Sequence, residues 1–123
     1  DELAAWAGMA RSRGLAPLVE THSHEDLTKL AGREWELVGV NNRDLRTFCV
    51  DLEHSVQQVE KLPAGAIKVA ESGIRSGADV RLLAEAGFDA FLVGETLLLA
   101  DDPGQMLREL VGEERRGPEV PGS

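Results

Sequence analysis

Polar residues stand directly behind four apolar runs: Glu20 after Leu18-Val19, Asn41 and Arg43 after Leu37 to Val40, Glu71-Ser72-Gly73 after Ile67 to Ala70, and Gly94-Glu95-Thr96 after Ala90 to Val93. A carboxylate at the mouth of an apolar sheet has its pKa raised by desolvation, which suits Glu20 to general-base work. A solvated strand-end carboxylate is the plainer alternative. Asn41 and Arg43 lie two residues apart, so in an extended loop both side chains point the same way, a donor-acceptor amide beside a fixed cation. An Asx turn with a surface arginine is the alternative there. Glu71 and Ser72 end the third run, Gly73 lets backbone N–H groups approach a ligand closely, and Gly94, Glu95 and Thr96 repeat the arrangement one unit later. In (β/α)8 barrels, backbone amides after the last two strands frequently form a phosphate site. Tight turns also need glycine, so it is the repetition in successive units that carries weight.

The remaining reactive side chains read more plainly. His22 and His24 lie near the same rim, but no cysteine and no third ligand stand at metal spacing, so no metal site is expected. His54 reads as a helix-surface residue, and Trp6 and Trp35 as packing residues. Cys49, the only cysteine, sits between Phe48 and Val50 without an adjacent basic residue, which argues against a nucleophile. A single cysteine allows no internal disulfide, and a reducing cytoplasm is the expected compartment.

These residues need a scaffold that ends several strands at one rim. Leu3, Trp6, Ala7 and Ala10 recur at helical spacing up to Arg13, with Gly14 as a natural end, and the acidic opening reads as a first helical turn rather than a targeting segment. Strands are expected at Ala16 to Val19, Leu37 to Val40, Ile67 to Ala70 and Ala90 to Val93. Ser23 with Asp26, and Ser76 with Asp79, form capping pairs for the helices that follow the first and third strands. Asp51 caps a helix over roughly Leu52 to Leu62, which Pro63 stops, and Asp102-Pro103 opens a last helix to about Val111. The order is one leading helix and four strand-helix units, an α/β pattern with parallel strands. The strands are mostly apolar rather than alternating, as expected when both faces of a parallel sheet are covered. Periodicity alone leaves a flavodoxin-like open sheet as the alternative architecture.

At 123 residues the chain holds one small domain, about half of the ~250 residues of a complete barrel. Residues 1–111 are expected to fold, and 112–123, rich in Gly, Pro and charge, to form a disordered tail. With 42% hydrophobic and 28% charged residues the composition is that of an ordinary globular domain. No apolar run reaches the roughly 18 residues that suggest a membrane span. A formal charge of -9 disfavours nucleic acid and anionic lipid as partners, and an anionic substrate therefore needs a local positive site.

Taken together, Leu18-Val19-Glu20, Val40-Asn41-Asn42-Arg43-Asp44-Leu45 with Asp51 downstream, Ala70-Glu71-Ser72-Gly73-Ile74 and Val93-Gly94-Glu95-Thr96-Leu97 with Ala100-Asp101-Asp102-Pro103 resemble indole-3-glycerol phosphate synthase. The resemblance runs from about Leu15 to Val111. It implies the carboxyl-terminal half of a TIM (β/α)8 barrel of tryptophan biosynthesis. The family closes the indole ring of 1-(2-carboxyphenylamino)-1-deoxyribulose 5-phosphate with loss of carbon dioxide and water, using no cofactor. On this resemblance Glu20 takes the general-base position, Asn41, Arg43 and Glu71 line and orient the substrate, and Ser72, Gly73, Gly94 and Glu95 surround the phosphate. Glu95 departs from the family, where serine is common, so only its backbone N–H is a credible phosphate contact. The two lysines that the family uses on early strands, one of them the general acid, have no counterpart, because Lys29, Lys61 and Lys68 lie on helices or at the start of a strand. The isolated chain is therefore expected to be inactive.

Another phosphate-binding barrel, such as phosphoribosylanthranilate isomerase, would call for a cysteine base near the barrel's start. A non-catalytic half-barrel that binds phosphorylated ligands or merely assembles is the remaining alternative. The unpaired first and fourth strands invite either a homodimer or association with the missing half.

Overall fold

The computed structural model describes residues 2–43 and 50–112, without the side chain of His24. Asp44, Leu45, Cys49 and nearly all of the expected tail lie outside the described residues. Helix α1 (Glu2–Ser12) leads into four strands, β1 (Leu18–Thr21), β2 (Leu37–Asn41), β3 (Ile67–Glu71) and β4 (Ala90–Leu92). Between them run α2 (His24–Leu30), α3 (Leu52–Gln58), a short 3-10 turn (Val59–Lys61) and α4 (Gly77–Ala86), and α5 (Glu95–Leu99) and α6 (Pro103–Val111) follow the last strand.

The strands pair in the order β1-β2-β3-β4, every pair parallel. A doubly wound sheet reverses its strand order part-way, whereas here each unit is added on the same side of the one before. The flavodoxin-like alternative is thereby excluded, and the architecture is four βα units of a TIM barrel preceded by one helix.

Local sequence fixes the helix starts. The Ser23 hydroxyl accepts the Asp26 N–H at 3.2 Å, while the Asp26 carboxylate accepts the N–H groups of His22 (2.9 Å) and Ser23 (3.3 Å). These backbone donors, His22 foremost, hold the Asp26 carboxyl below its usual pKa. Ser76, Asp51 and Asp102 cap α4, α3 and α6 in the same way, each accepting a backbone N–H three residues on. Two departures from expectation bear on the site. β1 starts at Leu18 and runs through Thr21, which puts Glu20 inside the ladder opposite Gly39 rather than behind it. α5 (Glu95–Leu99) is a helix with no side-chain cap and no buried residue, so neither a cap nor a buried stripe announces it.

The two faces of the sheet are unlike. Val19, Val38, Val40 and Ala70 point to one side and form the core with Leu27, Leu30, Val59 and Leu83 of the helical layer, each at most 9% exposed. Burying each of these valines and leucines contributes roughly 1.5–3 kcal/mol. The other side carries Leu18, Ile67 and Leu92 at 40%, 49% and 48% exposure. The sequence expectation of two covered faces therefore holds for one only. The apolar residues of the bare side are those that point into the interior of a closed barrel.

Trp35 packs as expected: it is 5% exposed, donates Nε1–H to the Leu30 carbonyl at 3.1 Å and lies under the Arg11 guanidinium. Arg11 in turn makes a two-pronged pair with Glu36, both contacts 2.6 Å, which ties α1 to the start of β2. Trp6 does not pack. It is 69% exposed, because α1 buries only Ala7 and turns Trp6 outward beside the free edge of β1.

Candidate functional site

Alternation along the ladders decides which polar side chains meet. Glu20 of β1, Gly39 and Asn41 of β2, and Val69 and Glu71 of β3 share the bare face, with Glu20 opposite Gly39 and Asn41 opposite Glu71. Asn41 Nδ2–H donates to Glu20 Oε1 at 2.6 Å, and Asn41 Oδ1 accepts the Arg43 N–H at 2.9 Å. The amide thus holds the carboxylate with one end and closes an Asx turn with the other. His22 Nε2 stands 3.5 Å from Glu20 Oε1.

The desolvated carboxyl is not the one anticipated. Glu20 keeps 40% of its side chain exposed, so the dry strand mouth expected around it is absent. Glu71 instead folds back over Gly39, and its Oε2 is buried with no hydrogen-bond partner among the described residues. Burial, and then repulsion from Glu20, raise its pKa from 4.5 to about 7. A carboxyl titrating there exchanges a proton readily at neutral pH, which is what acid-base chemistry needs.

Beside this pair, the ends of β2, β3 and β4 open a pocket of about 420 Å³. Arg43, Glu71, Ser72, Gly73, Gly94 and Glu95 all line it, while Glu20 and Asn41 stand outside its wall. Asn41 and Arg43 do not point the same way. Asn41 reaches across to β1, whereas Arg43 NH2 lies 3.7 Å from Glu95 Oε2 at the start of α5. The Glu95 side chain is 71% exposed. Thr96 donates to the Ile74 carbonyl at 2.5 Å and so ties α5 to the β3 exit.

The two glycines serve different ends. Gly73 has φ +70, and a Cβ there would run into the Val50 side chain, so protein packing already demands glycine. A Cβ on Gly94 would meet nothing within 4 Å, so nothing in the described chain fills the space beside it.

One residue of the rim escaped the sequence reading. Asn42 is 3% exposed and sits among four partners. Its N–H donates to the Glu71 carbonyl (2.7 Å), its carbonyl accepts the Asp51 N–H (2.9 Å), its Nδ2–H donates to the Ser72 carbonyl (2.7 Å), and Ser55 donates to its Oδ1. This clip holds Ser72 at φ +67, a left-handed conformation uncommon outside glycine. The signal available in the sequence was the doubled asparagine, of which only the first drew attention.

His54 also departs from expectation. Its Nε2 lies 3.0 Å from the His22 carbonyl, joining α3 to the β1 exit rather than facing solvent. Among the described residues no three His, Cys, Asp or Glu side chains gather as a metal site.

Comparison with known proteins bears on this geometry. A model of the indole-3-glycerol phosphate synthase family matches residues 1–110. The chain belongs to the indole-3-glycerol phosphate synthase family. It is 47% identical over 103 residues to an indole-3-glycerol phosphate synthase of Koribacter versatilis, covering 84% of this chain and 40% of that one. A second, from a Polaromonas species, is 42% identical over 111 residues, covering 90% and 42%. The chain thus spans about two fifths of the length of these curated relatives. Among solved structures, 3-hexulose-6-phosphate synthase from Salmonella typhimurium superposes with a TM-score of 0.71 over 91% of this chain and 56% of its own, at 18% identity, a likeness of fold alone.

Proposed function

We propose that this chain is the carboxyl-terminal half, residues 1–111, of an indole-3-glycerol phosphate synthase barrel. In the complete protein it closes the indole ring of 1-(2-carboxyphenylamino)-1-deoxyribulose 5-phosphate with loss of carbon dioxide and water. The observation that carries this is the meeting, at one rim, of the Glu20–Asn41 pair, the Glu71 carboxyl and a pocket lined by Arg43, Ser72, Gly73 and Gly94. Glu20, oriented by Asn41, takes the proton in the aromatising dehydration. Glu71 and Arg43 orient the substrate's hydroxyls and carboxyphenyl group. The turns at Ser72-Gly73 and Gly94-Glu95 receive the phosphate, with Glu95 contributing only its backbone N–H.

No lysine stands at this rim, since Lys29 lies in the last turn of α2, Lys61 in the 3-10 turn, and Lys68 near the start of β3. The family's acid must come from elsewhere, and the chain alone is inactive. β1 and β4 end the sheet, and their free edges close against the remaining barrel strands or against a second copy. A concentration-independent monomer in sedimentation would count against the homodimer. No described helix is long and apolar enough to cross a membrane, and the reading places the complete enzyme in the cytoplasm.

Titrating the full chain with indole-3-glycerol phosphate, followed by backbone amide shifts, tests the assignment. Saturable shifts at Ser72, Gly73, Gly94 and Glu95 are expected. Shifts confined to other parts of the chain would overturn it.

A further inference from the structure

Glycine in the middle of a sheet weakens the strand, because it has no side chain to pack and loses more backbone entropy than other residues. Gly39 occupies such a place, in the second of four strands, opposite Glu20 on one side and Val69 on the other. Its backbone does not require glycine, for its φ is not among the positive ones. What excludes a side chain is Glu71. A Cβ on Gly39 would lie 2.9 Å from the Glu71 carboxyl carbon and closer still to Oε2. The Glu71 side chain leans back over β2 and fills the place where residue 39 would carry its own, on the face that also bears Glu20. From the opposite face Thr21 donates to the Gly39 carbonyl at 2.9 Å and holds that peptide in place.

We propose that Gly39 is a positioning residue of this site: its bare Cα is the seat that brings the Glu71 carboxyl over β2 toward Glu20. The proposal rests on the reading of Glu20 and Glu71 as substrate-facing groups, and it assigns a role to a residue with no chemistry of its own. Any side chain at 39 would collide with the Glu71 carboxyl. Around the pair stand His22, 3.5 Å from Glu20, the Asn41 amide on Glu20, and the Arg43–Glu95 pair across the pocket. The Oε2 of Glu71 is buried with no hydrogen-bond partner among the described residues, so nothing there stabilises its charged form. The burial and the Glu20 charge that raise the Glu71 pKa both depend on this seat.

The contact that a new methyl would make is with the end of a flexible side chain, so Gly39→Ala displaces the carboxyl rather than the strand. The test is a carbon-13 NMR titration of the side-chain carboxyls in the full chain, wild type against Gly39→Ala. In the wild type Glu71 is expected to titrate near 7. In Gly39→Ala its midpoint is expected to fall by at least a full unit, a roughly tenfold weaker hold on the proton. Glu20→Gln should lower it by a smaller step. An unchanged Glu71 midpoint in folded Gly39→Ala overturns the proposal. Should Gly39→Ala fail to fold, the double variant Gly39→Ala/Glu71→Ala decides: recovery of the fold means that the methyl collided with Glu71, as proposed, and failure means that the backbone itself needs glycine, which refutes it. The titration is independent of turnover, so failure of the seat shows in the Glu71 midpoint, and failure of the functional reading shows in the absence of synthase activity from the complete protein.

Discussion

Replacing Glu71 by glutamine keeps the shape of the side chain and removes its titration, which isolates the energetic effect of burying an acid beside Glu20. The folded chain holds the Glu71 proton more tightly than the unfolded chain, since its pKa rises from 4.5 to about 7. Between those values the folded state binds more protons, so stability falls as pH rises. Below pH 4.5 both states are protonated and the group is neutral in effect, and above about 7 the full penalty is present. For a fully buried group the shift of about 2.5 units corresponds to roughly 3 kcal/mol at ~1.36 kcal/mol per unit. Glu71 is only half-buried, and solvent screening on its open side reduces this to about 1–2 kcal/mol. Urea unfolding of wild type and Glu71→Gln from pH 4 to pH 8 reads the difference directly. The two should coincide at the acid end, and the glutamine variant should be more stable by about 1–2 kcal/mol at pH 8. Parallel curves across the range, or a wild type that gains on the variant as pH rises, would refute the assignment of the buried proton to Glu71.

Three further substitutions probe the rim. Asn42→Ala leaves the Ser72 carbonyl and the Ser55 hydroxyl without their partner, and a loss of about 2–4 kcal/mol is expected in urea unfolding. A loss under 1 kcal/mol would mean that the clip is incidental. Gly73→Ala meets both its left-handed backbone and the Val50 side chain, for about 2–4 kcal/mol in all. Measured in a Val50→Ala background, the cost should shrink to the backbone share of about 1 kcal/mol, and an undiminished cost would remove Val50 from the explanation. Glu95→Ser removes a carboxylate 3.7 Å from Arg43 and should tighten binding of inorganic phosphate, followed by the Gly73 and Gly94 amide shifts, by about twofold to fivefold. Weaker binding would show that Glu95 supports the anion site rather than opposing it.

The frame of the molecule was legible because its signals are local. Ser23 with Asp26, Ser76 with Asp79, Asp51, and Asp102 followed by Pro103 each cap a helix where the chain places them, and the apolar runs between them became strands shifted by one or two residues. α5 escapes the sequence because Glu95–Leu99 carries no side-chain cap and no fully buried residue. Trp6 was misjudged because helical spacing gives a common face but not what, if anything, covers it. In the site, the residue types were readable and their pairing was not. Which of Glu20 and Glu71 is desolvated depends on Gly39, one strand over, and the divergence of Asn41 from Arg43 depends on Glu20 and Glu95, which come together only through the ladder and the β4 exit. Asn42 needed Ser55 and Ser72 in view before its four contacts could be counted among the determinants of the rim.

Formation of indole-3-glycerol phosphate, followed by its fluorescence, tests the central claim most directly when measured for this chain alone, for the preceding barrel half with its lysines, and for the two combined. The account predicts turnover only in the combination, abolished there by Glu20→Gln. Turnover by the chain alone would contradict the missing acid, and a combined protein that folds and binds the substrate but yields no product would contradict the assignment of this rim as half of a synthase active site.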